Sequence, residues 1–99
     1  MTGHASISTD ILARYAADAA RETPGVHALV PSQLPRHRGV RVEESEAGLR
    51  VELHIAVEWG SSIPTVGAEV ERRVHEYLSS MADVAEVDVY VIVEEITPP

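Results

Sequence analysis

From Leu49 to Trp59 a large apolar residue stands at every odd position, with Arg, Glu, His, Ala and Glu between them. Side chains alternate across a strand, so this pattern predicts one long strand with one buried face. After Gly60-Ser61-Ser62 the period lengthens: Ile63, Val66, Val70, Val74, Tyr77, Leu78 and Met81 recur at helical spacing. This helix is expected from about Pro64 to Ser80. Ser61 or Ser62 caps it, and Pro64 falls in its first turn, where no amide hydrogen is needed. Alternation then returns. Val87, Val89, Val91 and Val93 share one face, and Asp88, Tyr90, Ile92 and Glu94 share the other. Strand, helix and strand in this order imply a right-handed crossover and a parallel pair.

Upstream, Ile7-Ser8-Thr9-Asp10 opens another helix, with Ser8 as N-cap, Asp10 at the positive dipole end and Ile7 stapled onto Leu12. Its buried face is expected to be Ile11, Leu12, Tyr15, Ala16, Ala19 and Ala20. Asp18 and Arg21, and Asp10 and Arg14, are spaced as surface ion pairs. Thr23-Pro24-Gly25 ends it. Val26 to Val30 is a short strand or extended piece, Pro31 to Arg38 a loop, and Val40-Arg41-Val42-Glu43 a strand. The turn Ser45-Glu46-Ala47-Gly48 joins that strand to the long one as an antiparallel hairpin. One register sets Val42 opposite Val51, Val40 opposite Leu53, Glu43 opposite Arg50 and Arg41 opposite Glu52.

These elements predict an α+β domain of order α-β-β-β-α-β, with two helices on one face of a three- to four-stranded mixed sheet. The expected core is Ile11, Tyr15, Leu53, Ile55, Val57, Val70, Val74, Leu78, Val89 and Val91.

Composition narrows the function classes. The 99 residues suffice for one domain, residues 1–99, and contain no Phe and one Trp, so the core must use small β-branched side chains. Cysteine is absent, which excludes disulfides, thiol catalysis and Cys-ligated metal centres. No apolar run approaches the roughly 20 residues that span a bilayer, and the N-terminus lacks the basic start and apolar stretch of a secretion signal. A cytoplasmic location without direct membrane insertion is expected. The formal net charge of −8 argues against nucleic acid and anionic membrane as general partners. All eight basic residues are Arg. Between about pH 8 and 9.5 only the terminal amine is then expected to change charge appreciably, perturbed tyrosines aside.

Candidate chemistry is sparse. Gly60-Ser61-Ser62 joins strand to helix, but the second glycine of a nucleophile elbow is missing, since Ile63 and Pro64 follow. The serines read as caps. His4, His27, His37, His54 and His75 include no pair at the helical spacing of a zinc site. Arg36-His37-Arg38, with Arg41 close behind, is the one basic cluster, suited to a phosphate, a headgroup or an acidic partner. Tyr90 and Ile92, with Ala56 on the neighbouring strand, form a small apolar patch on the face away from the helices.

Taken in order, Pro24-Gly25-Val26, Gly39-Val40, Val57-Glu58-Trp59-Gly60, Ser62-Ile63-Pro64 and Val87-Asp88-Val89-Tyr90-Val91 resemble the alkaline-shock-protein family of bacterial envelope stress response proteins, also called general stress proteins. The resemblance runs from about Ile7 to Ile96 and marks a single domain with its core at about 7–96. Tyr is commoner than Trp in the family at the place of Trp59. The resemblance implies a small, non-enzymatic, cytoplasmic protein without cofactor or metal. It implies self-association into a homo-oligomer and a peripheral position under the membrane through a small membrane-anchor protein. Tyr90, Ile92, Ala56, Arg36, Arg38 and Arg41 are the candidate interaction residues. The alternative is a small-molecule or anion-binding module using the helix N-terminus at Ser61 and Ser62.

Overall fold

The computed structural model describes residues 7–31, 38–82 and 86–99. The chain order is α1 (Thr9–Arg21), β1 (Val26–Leu29), β2 (Val40–Ser45), β3 (Gly48–Val57), α2 (Ile63–Met81) and β4 (Val87–Ile96). Strand β3 is central. Along one side it pairs antiparallel with β2 over its first half and with β1 over its last residues, and on the other side it pairs parallel with β4. The sheet is therefore mixed, and β4 returns beside β3 after the α2 crossover.

Local chemistry sets the element ends. Ser8 Oγ accepts from the Ile11 amide at 3.2 Å, and Ser62 Oγ accepts from the Thr65 amide at 3.4 Å. Helix α1 ends at Arg21, ahead of Pro24-Gly25, and the buried Thr23 hydroxyl donates to the Ala19 carbonyl at 2.9 Å. The hairpin turns through Glu46 and Ala47, with Ser45 paired to Gly48. Gly48 is required there: a Cβ would lie 2.1 Å from the Glu86 carbonyl oxygen, which also accepts the Leu49 amide. That contact ties the hairpin to the start of β4.

The core is a valine-rich layer. Val51, Leu53, Ile55 and Val57 of β3 meet Leu12, Ala16, Ala19 and Ala20 of α1 and Val66, Val70, Val74 and Leu78 of α2. Val89, Val91 and Val93 pack against this layer but stay half-buried, because β4 lies at the sheet edge. The alanines on α1 let the helix approach closely.

Two expected core residues are not in it. Ile11 and Tyr15 are 43% and 44% exposed. The buried stripe of α1 runs through Leu12, Ala16, Ala19 and Ala20, one residue or about 100° further round. The same rotation leaves Tyr77 and Ile63 outside on α2, whose buried stripe is Val66, Val70, Val74 and Leu78. Trp59 also departs from the strand reading. β3 ends at Val57, and Trp59 lies largely exposed in the turn, its amide held by Thr97 Oγ1 at 3.1 Å.

Candidate interaction surface

The sheet face opposite the helices carries the polar members of every alternation. Arg41 lies opposite Glu52, and Glu43 opposite Arg50, as the sequence predicts. The ions then settle partly along the strands. Arg41 meets Glu43 of its own strand at 2.5 Å, and the Arg50 guanidinium lies 4.6 Å from the centre of the Tyr90 ring. Stacking on an aromatic face suits a planar cation.

His54 is the residue that pattern reading passed over. It sits mid-sheet on β3. Its Nδ1 is 2.6 Å from Glu94 Oε1, and its Nε2 is 2.7 Å from Glu52 Oε1. Both ring nitrogens donate only in the imidazolium form. Burial works against that charge, but the hydrogen bonds that the ring donates to Glu94 and Glu52 outweigh it, and the His54 pKa lies above its ordinary value. Its signal in the sequence was weak: Glu52 two residues earlier on the same face, and Glu94 only through the parallel pairing with β4.

Beside this cluster, Tyr90 and Ile92 are 48% and 37% exposed. Ala56 is only 3% exposed, flanked by Ala28 on β1 and Glu95 on β4. The apolar patch therefore has two members rather than three. An irregularity between the Ile55 and Ala56 pairings leaves Glu94 unpaired in the ladder, so Glu95 takes the place beside Ala56.

Of the basic cluster, Arg36 lies outside the described residues. Arg38 and Arg41 border a cleft of about 880 Å³ between α1 and β2, together with Arg14, Arg21, Asp10 and Asp18 of α1, of which Arg21 and Asp18 pair with each other at 2.9 Å. Val40 and Val42 contribute to the cleft wall. Sequence reading placed Arg38 and Arg41 together, but only the packing of α1 over β2 adds Arg14 and Arg21.

The Ser61-Ser62 turn is occupied by its own backbone. Ser62 caps α2, and the Ser61 amide donates to the Glu58 carbonyl at 3.1 Å. Among the described residues no group of three or more His, Cys, Asp or Glu is arranged to hold a metal ion. Among them, too, no helix is long and apolar enough to cross a membrane.

The geometry is that of a small α+β domain with a charged, partly apolar sheet face. The same fold occurs in "MamM-CTD 215-293", with a TM-score of 0.66, 13% identity, and 89% of this chain and 99% of that chain covered. It occurs also in "MamM CTD - Copper form", with a TM-score of 0.59, 14% identity, and 91% and 90% covered. At such identities the likeness is one of fold alone. No curated protein sequence matches. The chain belongs to the alkaline shock protein 23 family, of cell envelope-related function, whose model matches residues 1–98.

Proposed function

We propose that this protein is a non-enzymatic interaction scaffold of the bacterial cell envelope, acting on the cytoplasmic side of the membrane. Membership of a family with cell envelope-related function supports this reading. The observation that carries it to particular residues is the sheet face, where Tyr90 and Ile92 stand exposed between Asp88 and Glu94. An apolar pair on a chain of charge −8 is a contact surface in waiting. Weak homo-oligomerisation through this region, and recruitment to the membrane by a small membrane-anchor protein, follow from the reading.

Sedimentation velocity over a range of concentrations in moderate salt tests it. The wild type shifts to larger species as concentration rises, and Ile92→Glu remains monomeric at every concentration. A wild type that stays monomeric throughout removes the self-association and leaves the patch to another protein.

The second reading, an anion-binding module at Ser61 and Ser62, is less well supported, because Ser62 Oγ already serves the Thr65 amide. A rise in melting temperature with millimolar phosphate, lost in Ser62→Ala, would favour it over the scaffold.

A further inference from the structure

We propose that the end of the sheet where β3 and β4 finish and α2 begins is a docking site for a basic, amphipathic segment of another protein, with Trp59 as its anchor. The site lies apart from Tyr90 and Ile92 and does not depend on the self-association proposed above. It gives the scaffold a second kind of partner.

Three large apolar side chains are open to water at this end. Trp59 is 64% exposed, Ile96 48% and Ile63 38%. The topology brings them together. Ile96 pairs with Val57 at the last rung of the parallel ladder, and Trp59 follows two residues after Val57. Ile63 opens α2 across the short turn from Trp59. The core has no use for Trp59, because the buried face of β3 ends at Val57. Among the described residues no hydrogen bond uses its indole N–H, which leaves a donor for a partner.

The turn that carries Trp59 is fixed from both sides. The Glu58 amide donates to the Gly25 carbonyl at 2.8 Å, which ties the turn to the end of α1. The Trp59 amide donates to Thr97 Oγ1 at 3.1 Å, and the Thr97 amide to the Val57 carbonyl at 2.9 Å, which tie it to the end of β4. The space over Gly60 is open: a Cβ there would meet nothing within 4 Å. A large aromatic side chain shown to water on a fixed backbone loses little freedom when a partner covers it, and Trp is the kind of residue on which contacts are centred.

Charge selects the occupant. Exposed Glu58 precedes Trp59, and exposed Glu95 precedes Ile96. Neither carboxylate has an ion pair among the described residues. The described arginines on the helix turns nearest this end are already engaged: Arg21 meets Asp18 at 2.9 Å, and Arg73 meets Glu69 at 2.9 Å and the Glu22 carbonyl at 3.4 Å. The positive end of the α2 dipole lies on the Ile63 side, so a partner's cation falls on the Glu58 and Glu95 side. A second copy docked by the same end would set these carboxylates against themselves, on a chain of charge −8, and an anionic bilayer would be repelled in the same way. A segment with an apolar side chain for Trp59 and Ile96 and a Lys or Arg beside it satisfies both parts of the surface.

Trp59 is the one tryptophan of the chain, so its fluorescence reads the site directly. The full chain is titrated with an amphipathic leucine–lysine peptide and with a leucine–glutamate peptide of the same pattern. The first shifts the emission to shorter wavelength and saturates, and the second leaves it unchanged. Glu58→Lys with Glu95→Lys weakens the binding by about tenfold or more, and so does Ile96→Asn, with circular dichroism melting to confirm folding. Glu44→Lys with Glu46→Lys makes the same change of net charge at the far hairpin and weakens it by less than about threefold. Equal loss from the two charge reversals overturns the site, because attraction is then to the net charge alone. An emission that neither peptide moves overturns it too. A shift that grows with the protein's own concentration puts a second copy there, and a shift on phosphatidylcholine vesicles in place of the peptide puts a bilayer there; either result overturns the basic segment as occupant.

Discussion

A Cβ on Gly25 would lie 2.5 Å from Cγ2 of Val66. Gly25, at φ +93°, closes the turn after α1 directly against the first turns of α2. A side chain there is opposed twice, by the backbone conformation and by a fully packed neighbour. Gly25→Ala should lower stability by more than about 1 kcal/mol, a fall of several degrees in melting temperature for a domain of this size. Gly60, at φ +87°, has nothing within 4 Å of its would-be Cβ. Gly60→Ala should show the backbone penalty alone and melt above Gly25→Ala.

The corrected core gives a contrast within one experiment. Leu53 is fully buried at the centre of β3, whereas Ile11 is nearly half exposed. Leu53→Ala should cost about 2–5 kcal/mol in urea unfolding, and Ile11→Ala under about 1 kcal/mol. Equal losses would place Ile11 back in the core.

His54 gives the domain a pH dependence with a definite sign. Its folded pKa is raised by Glu94 and Glu52 against the opposing effect of burial. A group raised on folding stabilises fully below its unfolded value, about 6.5, and loses that contribution as pH rises through the folded value. The melting temperature should therefore decline as pH rises from about 6.5, with the loss complete above the raised pKa. His54→Gln should flatten the decline. Titration of the His54 ring protons by NMR reads the pKa directly, and a value below 6.5 would refute the assignment.

The cap of α2 separates structure from binding. Ser62→Ala should cost about 0.5–1 kcal/mol, toward the low end because the capping contact is long at 3.4 Å. If the hydroxyl only caps, the loss is the same with and without phosphate. A loss that grows in phosphate would point to an anion held at this turn.

The sequence by itself determined the elements and the hairpin register. β4 spans Val87–Ile96 as its alternation predicts, and the Val40–Leu53, Arg41–Glu52, Val42–Val51 and Glu43–Arg50 pairs all stand. A two-residue period leaves only one register that satisfies a buried and a charged face together. What the period could not decide was which of two neighbouring residues on a helix faces inward. Ile11 and Leu12, or Tyr77 and Leu78, differ by about 100° on a broad apolar stripe, and only the position of the sheet chooses between them. The tertiary structure also decided everything that depends on strands meeting across long separations. It set Glu94 against His54 through the parallel pairing, offset Glu95 to the side of Ala56, and gathered Arg14 and Arg21 with Arg38 and Arg41 at one edge. Local periodicity records which face a side chain occupies. Its neighbours on that face are set by packing between elements distant in the chain.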